Sequence, residues 1–395
     1  MVAMIKPTLS CLFALGLISV GVSAQTLPET QVTSADILSP RFDSKSPRLA
    51  YVNANGELWL ASIDKSSGGL LPADGRGQML DSEAASVLDF GYGAEWAYSS
   101  KGTQLLYTKY AQGAKKSAKT ASSAVASESS DGVWSIGFIT GADKTHSPVG
   151  TANTDEKFIY ANYQGTSGKA FYWQMLNGAD NTPHLVPNSE TADNSRQWIL
   201  GTHSILYTAA AVMPDGSTTQ QVYQYNADDN SVKQLTFDSG SKFGGTMWKD
   251  PALKEKVFFT MVDRKTLNVY RKASSGVWTV YKTIAMPPKL PYVWGPQVLI
   301  YQGASYLYMQ VSSSAAPNDM TVPPQLALSS TDPEKSDFRM LTNDGSTKRV
   351  RITPQVFVTS AGPQVYYSRL KPASGATAAQ SEGLWRVDTG LGAPK

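Results

Sequence analysis

Three histidines, one cysteine and a thin scatter of charged side chains are what this chain offers for polar chemistry; only 17% of its 395 residues are charged. A catalytic metal draws on imidazoles and thiolates that meet at one point. The imidazoles here are His146, His184 and His203, and no spacing among them makes a ligand motif. Serine hydrolysis needs a nucleophile, a base and an orienting acid, often with a Gly-x-Ser-x-Gly elbow, and that elbow is missing. Phosphate loops, EF-hand loops, Asp boxes and quinone-cofactor repeats are also missing. The chain is therefore expected to need no cofactor and no metal. Paired carboxylates would serve a glycosidase, but spacing along the chain does not pair any.

The N-terminus has the three regions of an export signal. Lys6 is the positive residue, the run from Leu9 to Val22 is apolar, and Val22-Ser23-Ala24 supplies small residues at the cleavage site. Residues 1–24 are expected to be removed before Gln25, which makes the destination periplasmic or extracellular. Cys11 leaves with them, so residues 25–395, expected to form one domain, have no thiol. The formal net charge is +3, or +2 without Lys6. That balance argues against nucleic acid as a partner, and no later segment is apolar enough to span a bilayer.

The elements that would carry any site repeat along the chain. Seven segments share an apolar run closed by an aromatic, at Tyr51, Tyr107, Tyr160, Tyr207, Phe259, Tyr301 and Tyr367, separated by 42 to 66 residues. A second column follows at Trp59, Trp134, Tyr172, Tyr223, Tyr270, Tyr308 and Trp385. A third precedes the first in six units, at Phe42, Trp96, Trp198, Trp248, Trp294 and Phe357. A fourth short strand is clearest at Lys233-Gln234-Leu235-Thr236 and Arg339-Met340-Leu341-Thr342. This spacing predicts an all-β fold, a seven-bladed β-propeller of four-stranded antiparallel blades, with strands A to D counted outward from the axis. The seventh unit stops near Trp385 without a D strand, so Glu29-Thr30-Gln31-Val32-Thr33 is expected to complete it and close the ring. The recurrent aromatics are read as packing between neighbouring blades rather than as a sugar-binding surface.

The segments Phe42-Asp43-Ser44-Lys45-Ser46-Pro47-Arg48-Leu49-Ala50-Tyr51 and Trp96-Ala97-Tyr98-Ser99-Ser100-Lys101-Gly102-Thr103-Gln104-Leu105-Leu106-Tyr107 resemble degenerate TolB-type (PD40, WD40-like) propeller repeats. The endings Gln234-Leu235-Thr236-Phe237-Asp238 and Met340-Leu341-Thr342-Asn343-Asp344-Gly345 do so too. The resemblance covers nearly all of residues 25–395 and implies architecture, not activity. No unit carries Ser-Pro-Asp-Gly after its tryptophan, and no length is left for the α/β domain that precedes the propeller in TolB proteins.

Three insertions interrupt the repeat. Residues 112–131 are rich in Ala, Ser and Lys, are placed between strands B and C of blade 2, and are expected to be disordered. Residues 371–382 are placed likewise in blade 7. Residues 312–337 are placed after strand C of blade 6, hence on the opposite face, as extended coil. On this assignment His146 and His184 lie by the outer strands. The D–A turns around the channel mouth carry Asp36, Asp89, Asp155 and Asp193 in one half and Lys242, Lys289, Lys348 and Arg349 in the other. A mouth so divided would orient a dipolar or peptide ligand. The expectation is a monomeric, non-catalytic binding or scaffold propeller for a protein or envelope polymer. The alternative is a carbohydrate-active lyase or hydrolase working at the channel mouth.

Overall fold

The computed structural model describes residues 27–87, 93–117, 119–150, 156–162, 170–177, 181–193, 195–316, 319–345 and 347–395. The export signal expected over residues 1–24 lies outside them. Seven antiparallel sheets form a propeller. The first strand, β1 (Glu29–Thr33), belongs to the last blade. Blade 1 is β2 (Leu38–Phe42), β3 (Arg48–Val52) and β4 (Leu58–Ile63), with β5 (Leu70–Leu71) and β6 (Gln78–Asp81) both on β4. Blade 2 is β7 (Glu95–Ser99), β8 (Gly102–Tyr110), β9 (Ala121–Glu128) and β10 (Trp134–Phe138). Blade 3 is β11 (Thr145–Gly150), β12 (Lys157–Asn162), β13 (Ala170–Met175) and β14 (His184–Leu185). Blade 4 is β15 (Arg196–Trp198), β16 (Ser204–Val212), β17 (Thr218–Asn226) and β18 (Val232–Gln234). Blade 5 is β19 (Lys242–Lys249), β20 (Lys256–Val262), β21 (Thr266–Lys272) and β22 (Trp278–Ala285). Blade 6 is β23 (Tyr292–Tyr301), β24 (Ala304–Ser312), β25 (Gln325–Ser330) and β26 (Arg339–Met340). Blade 7 is β27 (Val350–Thr359), β28 (Gly362–Lys371) and β29 (Gln380–Asp388), completed by β1.

The closing pair is antiparallel, Glu29 opposite Val387 and Gln31 opposite Trp385. Pairing the two ends of the chain covers the outer edge of β29 that would otherwise stand open. A buried charge cluster holds it. The Arg351 guanidinium, 1% exposed, donates to both Glu29 oxygens at 2.6 and 3.0 Å and to Asp344 at 2.8 Å. The Tyr367 hydroxyl also donates to Glu29. Burial alone would raise the Glu29 carboxyl, but Arg351 and Tyr367 outweigh it and hold the group below its ordinary range.

The first aromatic column lies in the interior, from Tyr160 at 0% exposure to Tyr301 at 8%. At the seam between blades 7 and 1, Phe42 meets the Phe357 and Tyr366 rings at 5.0 Å each. Such burial stabilises by roughly 1.5–3 kcal/mol per ring, and the rings recur at each seam.

Two blades depart from the expected strand order. Residues 112–131 contain β9, which pairs with β8 from Gln104–Ser127 to Tyr110–Ala121. Its small residues suit a close approach: Ala121, Ser123, Ala124 and Ala126 are fully buried, and Ser123 meets the Thr145 hydroxyl at 2.7 Å. A weak strand former is thus held by tertiary pairing, and Trp134 moves out to the D strand β10. In blade 6 the Val298–Tyr301 run lies on the inner strand β23, and Tyr308 lies on the second strand, β24. The two strands are joined at Gln302-Gly303, both at positive φ, the conformation of a tight hairpin turn. The third strand is β25, buried throughout, within what composition marked as coil. The long connection of blade 6 is therefore 313–324, between the second and third strands, on the same face as 111–120 and 372–379.

Candidate functional site

The inner strands share a local device. In β2, β11, β19, β23 and β27 the register slips by one bulge. Each bulge contains a residue at positive φ: Ser39, Ser147, Gly244, Gly295 and Thr353, at 48° to 61°. Pro40, Pro148, Gly245, Pro296 and Pro354 follow them. Proline suits the position because a bulge leaves one backbone N–H out of the ladder. Two tryptophans of the third aromatic column lock this device between blades. The Trp96 indole donates to the Arg41 carbonyl at 2.9 Å, and the Trp198 indole donates to the Val149 carbonyl at 3.2 Å. In both cases the acceptor is the residue after Ser-Pro on the preceding blade.

Polar side chains beyond the bulges pair across neighbouring blades. Arg41 meets Glu95 at 2.8 Å, Thr246 donates to Gln197 at 2.6 Å, and Gln355 donates to Gln297 at 3.1 Å. The buried Tyr308 hydroxyl also donates to Gln297, at 2.6 Å. Its pKa is raised by burial; the charge of Arg41 works against that shift and the charge of Glu95 with it. The channel wall is thus polar, and these groups satisfy one another across the seams.

The expected mouth residues meet different fates. Asp36 accepts the Ala54 N–H at 2.8 Å and lines a pocket of about 310 Å³ with Asn53, Asn55, Glu57, Trp59 and Arg76. Lys116, from the 111–120 connection, reaches the Asn55 carbonyl at 3.0 Å beside it. Asp193 accepts from the Thr208 hydroxyl at 2.6 Å and the Ser195 N–H at 3.0 Å, so it shapes its own turn. Lys242 is fully buried and donates to the carbonyls of Asp238, Ser239 and Gly240 at 2.7–2.9 Å. Burial pulls its ammonium below the usual lysine range despite the nearby Asp238 carboxylate. Arg349 pairs with Glu382 at 2.6 Å, next to Arg369 on the same carboxylate at 2.9 Å. Lys289 and Lys348 are exposed. Asp89 and Asp155 lie outside the described residues.

The histidines are dispersed, and one of them lies where the sequence did not place it. His146 is on β11, an inner strand, buried with its Nδ1 2.9 Å from the Ser147 hydroxyl. The Ser147-Pro148 bulge makes this segment strand A rather than the end of the preceding blade. His184 is on the outer strand β14, stacked on Trp173 with centroids 4.2 Å apart. His203 is at a blade 4 turn, 2.6 Å from Asp228. Among the described residues, no group of three His, Cys, Asp or Glu is arranged to hold a metal, and no helix is long and apolar enough to cross a membrane.

The face formed by the second-to-third-strand and D–A connections is the most elaborated part of the molecule. Met320 of the 313–324 connection accepts the Ala373 N–H of the 372–379 connection at 2.8 Å. Met320, Ala379 and Val87 pack on Leu38, Val350 and Ile352 of the inner strands of blades 1 and 7 and on Leu370 of β28. Sequence reasoning missed the bulges, and it put the blade 2 and blade 7 insertions on one face but that of blade 6 on the opposite one. The recurring Ser/Thr/Gly-Pro/Gly dipeptide was the available signal for the bulges.

No family model and no curated protein matches the chain. Solved structures do. The β-propeller domain of Cps50 (Swd1) from Myceliophteria thermophila superposes with a TM-score of 0.55 at 10% identity, covering 92% of this chain and 99% of that one. Dihydro-heme d1 dehydrogenase NirN, solved in complex with DHE, gives 0.51 at 10% identity, over 89% of this chain and 68% of that one. A putative TolB from Agrobacterium tumefaciens gives 0.41 at 14% identity, over 63% and 79%. At these identities the first two show a likeness of fold alone.

Proposed function

We propose that this chain is an exported, non-catalytic binding propeller that takes a protein or envelope polymer on the face carrying residues 111–120, 313–324 and 372–379. One observation carries the reading: three long connections leave the same face, and two of them are joined at Met320 and Ala373 over the ends of the inner strands. Function on such a scaffold concentrates in loops that a rigid frame holds in place. The exposed Lys289 and Lys348 belong to D–A turns of that face. The pocket at Asp36 and Trp59 adds polar and aromatic groups at its rim.

The test is site-specific photo-crosslinking in the native envelope. Crosslinkers at Lys115, Thr321 and Thr377 on the elaborated face should capture a common partner. Crosslinkers at Lys101 and Ser360, in exposed turns of the opposite face away from blades 4 and 5, should not capture that partner. Replacing residues 112–120 by a short turn should weaken the capture at Thr321 and Thr377. Equal capture from both faces, or none from either, overturns the reading.

A further inference from the structure

The seam between blades 4 and 5 carries a second site, on the face away from the long connections. Side chains along blade 5 alternate between its two neighbours. Met247, Phe258 and Tyr270 turn toward blade 4, where they join Ile199, Leu206, Val222 and Leu235 in one core. One step beyond that core the sheet places a row of cations. Lys249 lies directly across from Lys256, and Lys272 directly across from Trp278. Val257 pairs with Arg271, which brings Lys256 beside Lys272. Like charges on adjacent strands are destabilising, so the packing of the sheet gives no reason for this row.

A cleft of about 590 Å³ opens at the row. Its floor is apolar, from the buried Ile199, Leu235 and Met247, with Trp278 as one wall. Its rim carries Lys233, Lys256 and Lys272, together with Arg271 and one carboxylate, Glu255. All three lysines are exposed, and their ammonium groups make no ion pair among the described residues. Arg271, by contrast, is held by Glu255 at 2.9 and 3.1 Å. Leu200 and Val277, next in sequence to Ile199 and Trp278, are 64% and 53% exposed and extend the apolar surface.

We propose that this cleft binds an acidic peptide segment of a partner protein, with one large apolar side chain on the floor and flanking carboxylates on the lysine rim. Charge complementarity selects an anion. The apolar floor selects a peptide over an anionic polysaccharide, which would leave Ile199, Leu235 and Met247 uncovered. The volume suits one anchored side chain with its neighbours. This site stands independently of the elaborated face.

The test uses the purified protein and fluorescein-labelled peptides read by anisotropy. The first peptide has a Phe flanked on each side by Asp and Glu, the second has Ser for Phe, and the third has amides for the carboxylates. The first should bind saturably, and each control should bind about tenfold or more weakly by comparison. Lys256→Gln with Lys272→Gln should weaken the first peptide about tenfold while leaving the melting temperature no lower. Replacement of residues 112–120 should change nothing here, which separates this site from the proposed face. Equal binding of the Ser peptide, an unchanged affinity in the double variant, or lysine-dependent binding of alginate or anionic vesicles without saturable peptide binding would each overturn the proposal.

Discussion

Arg351 at the ring closure and the lysines of the blade 4–5 cleft carry the same charge in opposite circumstances. Arg351 is buried, and carboxylates from two other segments meet it, so it binds the first strand of the chain to the last blade. Lys233, Lys256 and Lys272 are exposed over an apolar floor, with no carboxylate assigned to them. Lys242 belongs with Arg351, because three carbonyls of its own turn enclose it. A buried charge that is fully partnered is architecture, whereas a row of unpartnered charges costs stability and needs an external reason.

The largest effect is expected at the closure. Arg351→Ala leaves Glu29 and Asp344 without their cation and should destabilise by about 3–5 kcal/mol. Urea unfolding followed by tryptophan fluorescence measures it, and a loss under 1 kcal/mol, roughly that of an exposed pair, would remove the distinction. Acid should act at the same place. The Glu29 carboxyl has a lowered pKa in the folded protein, so its stabilisation is present above the unfolded value of about 4.3 and is lost as pH falls through the lower folded value. Glu29→Gln should therefore be less stable at neutral pH, and its stability should fall less steeply on going from pH ~5 to pH ~3. A profile parallel to that of the parent protein would separate the closure from Glu29 ionisation.

A smaller effect is expected where the inner bulges are tied. Trp198→Phe retains most of the ring but loses the bond to the Val149 carbonyl, at a cost of about 1 kcal/mol. Trp96→Phe should match it through Arg41, and a large difference between the two in thermal melts would mean that the bulges are not equivalent. The smallest effect is at the cleft. Lys256→Gln should leave stability unchanged or raise it by about 0.2–1 kcal/mol, because it removes like-charge opposition with Lys249 and Lys272. A clear loss of stability would make these lysines structural after all.

Much of the ring was legible from residue order. The first-column aromatics other than Tyr301 lie on second strands, and the missing third-column residue of unit three corresponds to an inner strand without an aromatic, β11. Glu29–Thr33 closes blade 7 as its spare position implied. The failures were local and physical. An Ala/Ser stretch such as Ala121–Glu128 carries little intrinsic strand preference, and the neighbouring blades hold it in place. Blade 6 misled because the apolar run at Val298–Tyr301 copies the second-strand pattern one strand too early. Among the mouth residues, identity gave no guide to exposure. Lys242 and Lys348 look alike in the sequence, yet one is enclosed by its turn and the other faces solvent.

Repetition of apolar and aromatic residues determined the blade number and the closure by the first strand, because each blade must bury both of its faces against neighbours. Which charges are spent and which are available emerged only from the folded ring. Partners such as Glu29 and Arg351 stand 322 residues apart in the chain, and lysines such as Lys256 and Lys272 become neighbours only through strand register. Contacts of that kind are set by which strands pair, a property of the assembled sheets that no local pattern contains.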